Sequence, residues 1–320
     1  MTFAGSPDRV EAQLVPDAGY EIDFFRISGL PRRPSRQLAR SLLLAGRAPH
    51  ACARILERRQ PDVVLGGGGY VSGPMVYAAW RKRIPAALTE ADAHLGLANR
   101  LAAPFARRVF LSYPLAGRDS AKYHVVGRPV HAREGVSNSA ARRRFELPEA
   151  GRVLLVLGGS QGAAVLNELA LEAFAASGPP VLHLCGPRYY DSLRDRPQRD
   201  DYRLLAWTDD LAGALSAADL VLGRAGGSVW EVAAAGVPAI LVPSPNVTAD
   251  HQTKNARYFE QGGGAIVVLE QERTRVPDLV RSLLADDARL EEMAERMRAL
   301  AKPDAARVIA EELIELARAA

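Results

Sequence analysis

The stretch RVLLVLGGSQGAAVLN, residues 152–167, decides the fold. Val153 to Leu157 form an unbroken apolar run, the pattern of a strand buried on both faces. Gly158-Gly159-Ser160-Gln161-Gly162 ends the run, and a helical pattern follows from residue 163. Strand, glycine turn and helix N-terminus in that order open a parallel βαβ unit. Free N–H groups and the positive helix end converge at such a turn, which makes it a place for an anion. No Lys-Ser/Thr follows, so this is not a Walker A loop, and the glycine spacing is not G-x-G-x-x-G. The alternative is a turn needed only for strand–helix packing.

The same pattern recurs on both sides. In the first half a strand (63–65) runs into GGGGYVSGP (66–74), a helix (73–82) and a strand (85–89). The second half has strands at 152–157, 181–185, 203–206, 219–222, 238–242 and 265–268. Helices such as 163–176 and 227–235 lie between them. The expected class is α/β, built as two Rossmann-like doubly wound domains. The expected division is 1–130, 131–302 and a final helix, 303–320, where Pro303 breaks the helical tail 289–319. The start reads differently. SPDRVEAQLVPDAGY looks like the tail of a helix and IDFFRI like the first strand, so an opening strand–loop–helix unit is expected to be missing.

The bulk numbers describe a soluble globular protein: 320 residues, 48% hydrophobic and 24% charged. Cys52 and Cys185 are far apart and in no metal-ligand spacing, and read as core residues of a reduced protein. No apolar run has the length of a membrane span and the N-terminus is no signal peptide, which gives a cytoplasmic protein or one on the inner face of a membrane. Residues 1–130 carry a net charge of +9 and residues 131–320 a net of −5. The basic half is expected to meet something anionic. Nucleic acid is not expected, because the basic residues lack interleaved aromatics. In RRPSRQLARSLLLAGRAPHACARILERR (32–59), Leu38, Leu42, Leu43 and Ala45 recur at helical spacing among arginines. Such a helix either lies on an anionic membrane or packs on the sheet.

Further motifs sit where parallel strands end. In GRAGGSVWEVAAAGVPAILVP (223–243), Gly226-Gly227-Ser228 opens a helix and Glu231 lies in its first turns. A carboxylate there can accept two sugar hydroxyls; Ser228 with Glu231 also fits a capping box. In DHQTKNA (250–256), Gln252 and Asn255 fall on one helix face, and amides suit hydroxyls and base edges. Glu90 and Asp92 follow a strand, where Glu90 is a candidate base or hydroxyl acceptor and solvated loop acids are the alternative.

Taken in order, YEIDFFRISGL, GGYVSGP, EADAHLGLANR, GGSQGA, RAGGSVWEVAAAGVPAILVP and HQTKNA resemble the MurG family of peptidoglycan glycosyltransferases, which convert lipid I to lipid II. The likeness runs from about Phe3 to the C-terminal helix. It implies a GT-B fold, two Rossmann-like domains facing a cleft, with the last helix crossing back to the first. It implies inverting transfer of N-acetylglucosamine from UDP-N-acetylglucosamine. Gly159, Ser160, Gln161, Gly162, Arg224, Gly226, Gly227 and Ser228 would lie at the diphosphate and Glu231 at the ribose. Gln252 and Asn255 would hold the sugar, and backbone near Thr208 would read uracil. Asp92, Arg128 and His131 stand where the family has donor-side Asn and Asn-x-x-Arg positions. The acceptor diphosphate would sit on Gly68, Gly69, Tyr70, Ser72 and Gly73. The resemblance implies partners of three kinds: a UDP-sugar, a lipid-linked diphosphate and an anionic membrane. No Asp-x-Asp motif is present, so neither metal nor cofactor is expected. The family's first strand, its His-bearing loop and the following helix have no counterpart in the sequence. Another lipid or glycan acceptor, or a truncated UDP-sugar-binding protein without activity, are the alternatives.

Overall fold

The computed structural model describes residues 1–29, 35–130, 137–196 and 199–319. The chain divides into two units. One comprises Met1–Val126 with Ala306–Ala320, the other Gly127–Ala305. The first unit thus ends at Val126 rather than at 130, and the last helix belongs to it.

The first unit contains β1 (Phe3–Gly5), α1 (Glu11–Asp17), β2 (Ile22–Phe24), α2 (Arg36–Arg59), β3 (Val64–Gly66), α3 (Gly69–Arg81), β4 (Ala86–Glu90), α4 (Leu97–Ala102), β5 (Arg108–Leu111) and β6 (Tyr123–Val125). The second holds α5 (Asn138–Arg144), β7 (Leu154–Leu157), α6 (Ala164–Phe174), β8 (Val181–Leu184), α7 (Pro187–Leu193), β9 (Tyr202–Leu205), α8 (Leu211–Ala217), β10 (Leu220–Gly223) and α9 (Val229–Ala235). It continues with β11 (Ala239–Leu241), α10 (His251–Gln261), β12 (Ala265–Val267), α11 (Val276–Leu284) and α12 (Asp287–Leu300). The final helix is α13 (Ala305–Arg318).

The second unit is one six-stranded parallel sheet in the order β12-β11-β10-β7-β8-β9. All four residues of β7 are buried, as its unbroken apolar run requires. The chain fills the sheet from β7 to β9 on one side, then returns to place β10 on the other side of β7. That reversal makes a switch point between β7 and β10, with a crevice at their C-terminal ends. At the opposite end Arg142, 4% exposed, binds the carbonyls of Ala217, Glu149 and Gly151 and the Asp219 carboxylate. Asp219 also accepts from Val153 N, so β7 and β10 start from a common anchor.

The first unit carries two parallel sheets, β3-β4-β5-β6 and β1-β2, over a shared core that includes Phe25, Cys52, Val64, Val76 and Leu88. The chain therefore opens on a short strand and helix, β1 and α1, which corrects the expectation that it opens inside a helix with IDFFRI as its first strand. Three residues are too few to show an alternation; pairing of Phe3 with Ile22 makes the strand. The α3 helix begins at Gly69, four residues before the glycine-rich sequence indicates. Burial of Ser72, Met75 and Val76 outweighs the poor helix propensity of its two glycines and Pro74. Helix α13 packs Ile309 and Leu316 on Ala87, Phe110 and Val126, and Glu312 takes His124 Nδ1 at 2.7 Å.

Candidate functional site

The crevice between β7 and β10 collects most of the expected donor residues. Gly158 to Ala163 leave β7 as a tight loop in which Gly159 (φ +82°) and Gly162 (φ +73°) take left-handed conformations. Gly162 needs its missing side chain, since a Cβ there would collide with the Cys185 carbonyl. Ser160 and Gln161 are exposed at the loop tip. Helix α6 starts directly behind, and no side chain caps its N-terminus. An eleven-residue helix with an uncapped N-terminus behind a glycine turn leaves N–H groups that an anion could take.

The second loop, Arg224 to Ser228, leaves β10 beside it, and Arg224 N donates to Leu157 O at 3.3 Å. A Cβ at Gly226 would meet open space. A Cβ at Gly227 would meet the Arg128 guanidinium at 2.8 Å, so Arg128 lies over this loop. Ser228 makes no side-chain cap, so its half of the capping box does not form. Glu231 follows in the first turn of α9. Buried Trp230 stacks edge-on with Phe259, which fixes α9 against α10. Thr208 lies past the end of β9, where its Oγ1 accepts from Asp210 N.

Three expected ligand groups have local work in this structure. The Arg224 guanidinium turns to Val242 O (2.8 Å) and Glu270 (2.6 Å). Buried Asn255 donates to Ala225 O at 3.1 Å and so holds the β10–α9 loop. The Gln252 carboxamide oxygen accepts from Ser244 N at 2.8 Å. His131 lies outside the described residues, as do the side chains of Leu38 and Leu42 on α2.

The first unit has its own glycine loop. Gly68 (φ +90°) and Gly69 (φ +70°) join β3 to α3, again without a side-chain cap. Ser72 Oγ donates to Gly68 O at 2.6 Å, Tyr70 is half-exposed, and Gly73 faces open space. The neighbouring loop after β4 holds Asp92 and is shaped by Glu90. Glu90 Oε2 accepts from Gly96 N and Asn99 Nδ2, both at 2.9 Å, and Oε1 from Asp92 N at 3.3 Å. At 8% exposure this carboxylate holds its loop, which is a different task from the base role its position after a strand indicates. Among the described residues no cluster of three or more His, Cys, Asp or Glu could hold a metal ion. None of the described helices is long and apolar enough to cross a membrane.

The sequence reading misses the support behind the β7 loop. Asn167 Nδ2 donates to Cys185 O, and Asn167 Oδ1 faces His183 Nε2. The signal was available: a polar residue on the apolar face of α6 and a histidine inside a buried strand.

Two parallel α/β units, each with a glycine turn feeding a helix at its strand ends, have the architecture of the GT-B class. Residues 2–111 match the glycosyltransferase family 28 N-terminal domain and residues 153–309 its C-terminal domain, and the chain belongs to this family. It is 39% identical to a Salinibacter ruber protein over 99% of this chain and 88% of that one. It is also 39% identical to an Acidithiobacillus ferrooxidans protein over 99% of this chain and 90% of that one. Both are named UDP-N-acetylglucosamine–N-acetylmuramyl-(pentapeptide) pyrophosphoryl-undecaprenol N-acetylglucosamine transferase. The crystal structure of Acinetobacter baumannii MurG superposes with a TM-score of 0.77 at 28% identity, over 98% of this chain and 90% of that one. A kitacinnamycin glycosyltransferase shares the fold at a TM-score of 0.67 and 21% identity.

Proposed function

We propose that the chain moves N-acetylglucosamine from UDP-N-acetylglucosamine to a lipid-linked diphosphate acceptor, the step from lipid I to lipid II in peptidoglycan synthesis. The observation that carries this is the β7/β10 crevice. There an uncapped α6 N-terminus, two glycine loops, Arg128 and Glu231 share one switch point. The names of the relatives supply donor and acceptor.

The reaction is an inverting displacement. The acceptor hydroxyl attacks the anomeric carbon on the face opposite the diphosphate, the carbon–oxygen bond to UDP breaks, and the hydroxyl proton passes to a base. Charge builds on the departing diphosphate. The α6 N-terminus and the loop N–H groups meet it in a fixed arrangement, which lowers the barrier without reorganisation. Glu231 takes the ribose hydroxyls as a bidentate acceptor. The acceptor diphosphate sits on the Gly68–Gly73 turn by the same physics. Metal-free transfer is part of the proposal, because the sequence has no Asp-x-Asp and the helix end supplies the positive charge.

The enzyme works at the cytoplasmic face of the plasma membrane as a peripheral protein. Support comes from α3 and α4. Trp80, half-exposed, stacks on Phe105 at 5.0 Å and near Tyr77 at 5.8 Å, and Leu97 and Leu101 are exposed one turn apart on α4. Exposed Arg81, Arg83, Arg100 and Arg107 flank them in sequence. Apolar side chains with a basic rim suit an anionic bilayer.

The test is transfer of labelled N-acetylglucosamine to a lipid-linked N-acetylmuramyl-pentapeptide diphosphate, with and without a chelator. Transfer at an unchanged rate in chelator is expected. No transfer to this acceptor, with transfer to another lipid, would replace the acceptor assignment. A chelator-sensitive rate would overturn the metal-free step.

A further inference from the structure

Behind the anion-binding loop lies a buried polar chain that links the sheet edge to the loop. Tyr202 on β9 is 3% exposed, His183 on β8 is fully buried, and Asn167 on α6 is 1% exposed. Tyr202 Oη stands 2.8 Å from His183 Nδ1, His183 Nε2 3.0 Å from Asn167 Oδ1, and Asn167 Nδ2 2.9 Å from Cys185 O. The directions of these bonds follow from chemistry. The Cys185 carbonyl can only accept, so the Asn167 amide must turn its NH2 toward it and its oxygen toward the ring. The ring must then donate from Nε2, which leaves Nδ1 to accept the tyrosine hydroxyl proton. Burial pushes the His183 pKa down to about 3, so the ring is neutral and this one tautomer persists at physiological pH.

The chain ends at the loop itself. The Cys185 carbonyl is the group that a Cβ on Gly162 would strike, and a Cβ on Gly186 would lie 2.5 Å from Gln161 O and Gly162 N. The Cys185–Gly186 turn is therefore the back wall of the Gln161–Gly162 turn. Asn167 binds that wall from within the second turn of α6, the helix whose N-terminus faces the anion. Wall, loop and helix end are locked to one another through Asn167, and His183 and Tyr202 fix the orientation of its amide.

We infer that Tyr202, His183 and Asn167 form a positioning relay that sets the α6 N-terminus and the Gly158–Gly162 loop at the distance required by the leaving diphosphate. The inference rests on the proposed assignment of that loop to the donor. The relay touches no ligand. It acts on the phosphate end of the donor and leaves the nucleoside end alone.

The experiment measures dissociation constants of UDP and of uridine, with kcat and KM for transfer, in wild type, His183→Leu, His183→Gln and Tyr202→Phe. His183→Leu removes the donor to Asn167 and frees its amide. It is expected to weaken UDP binding and lower kcat by about tenfold while uridine binding stays within about twofold. His183→Gln keeps an N–H toward Asn167 and an oxygen toward Tyr202 and is expected to recover most of the loss. Tyr202→Phe gives a smaller loss of the same kind and keeps the test decisive should His183→Leu not fold. Equal losses for UDP and uridine, or an unchanged UDP-to-uridine ratio in the folded variants, would overturn the relay. Absence of UDP binding by the folded wild type would instead overturn the donor assignment on which it rests.

Discussion

Gly159 and Gly162 sit in one loop, both at positive φ, for different reasons. A Cβ on Gly159 would meet nothing within 4 Å, so only its φ of +82° disfavours a side chain. Gly162 has the same conformational need and also faces the Cys185 carbonyl. Gly159→Ala is expected to cost about 1 kcal/mol from the left-handed conformation alone. Gly162→Ala is expected to cost about 3 kcal/mol or more, because loop and wall must part. Urea denaturation midpoints measure both. Equal shifts would contradict the close packing of loop and wall. At this scale the sequence announces that the glycines matter but not which one, since the neighbour that forbids a side chain lies 23 residues away.

Among the elements, the all-buried strands were readable because their branched apolar runs admit no other partner than a sheet. The run 152–157 became Leu154–Leu157 and 219–222 became Leu220–Gly223. The break at Pro303 separates α12, ending at Leu300, from α13, starting at Ala305. What periodicity could not supply was which side of a helix finds a partner. The basic helix 32–59 reads as lying on a membrane or as packing on the sheet; the later half of α2 packs Ala48, Cys52, Ile55 and Leu56 into the core, while Leu43 is exposed. Large exposed apolar side chains near arginines lie on α3 and α4 as well, at Trp80, Leu97 and Leu101. Replacing Trp80 by Ala together with Leu101→Glu is expected to reduce cosedimentation with anionic vesicles at least about fivefold, and to leave UDP binding unchanged. Undiminished vesicle binding by the folded variant would move the membrane contact elsewhere.

Over the whole molecule, each unit repeats one solution, a parallel sheet whose glycine turns place helix N-termini at the strand ends. The class was legible because six motifs in order constrain a chain far more than any one of them. The division of labour within the site was not. Asn255 and Gln252 read as ligand groups from their amide chemistry, and Arg224 from the family resemblance. The fold also gives them carbonyls, amides and a carboxylate to hold, and such partners depend on strand order that no local pattern encodes. Glu90 shows the same principle in the first unit, where a carboxylate in a catalytic-looking place secures its own loop.

The most direct measurement is calorimetric titration of UDP-N-acetylglucosamine into the purified chain, beside Glu231→Ala. The account predicts saturable one-to-one binding by the wild type, weakened about a hundredfold in the variant, since one carboxylate carries two hydroxyl contacts. A folded wild-type chain that binds no donor, or a variant that binds it as well as wild type, would contradict the donor site at the β7/β10 switch point.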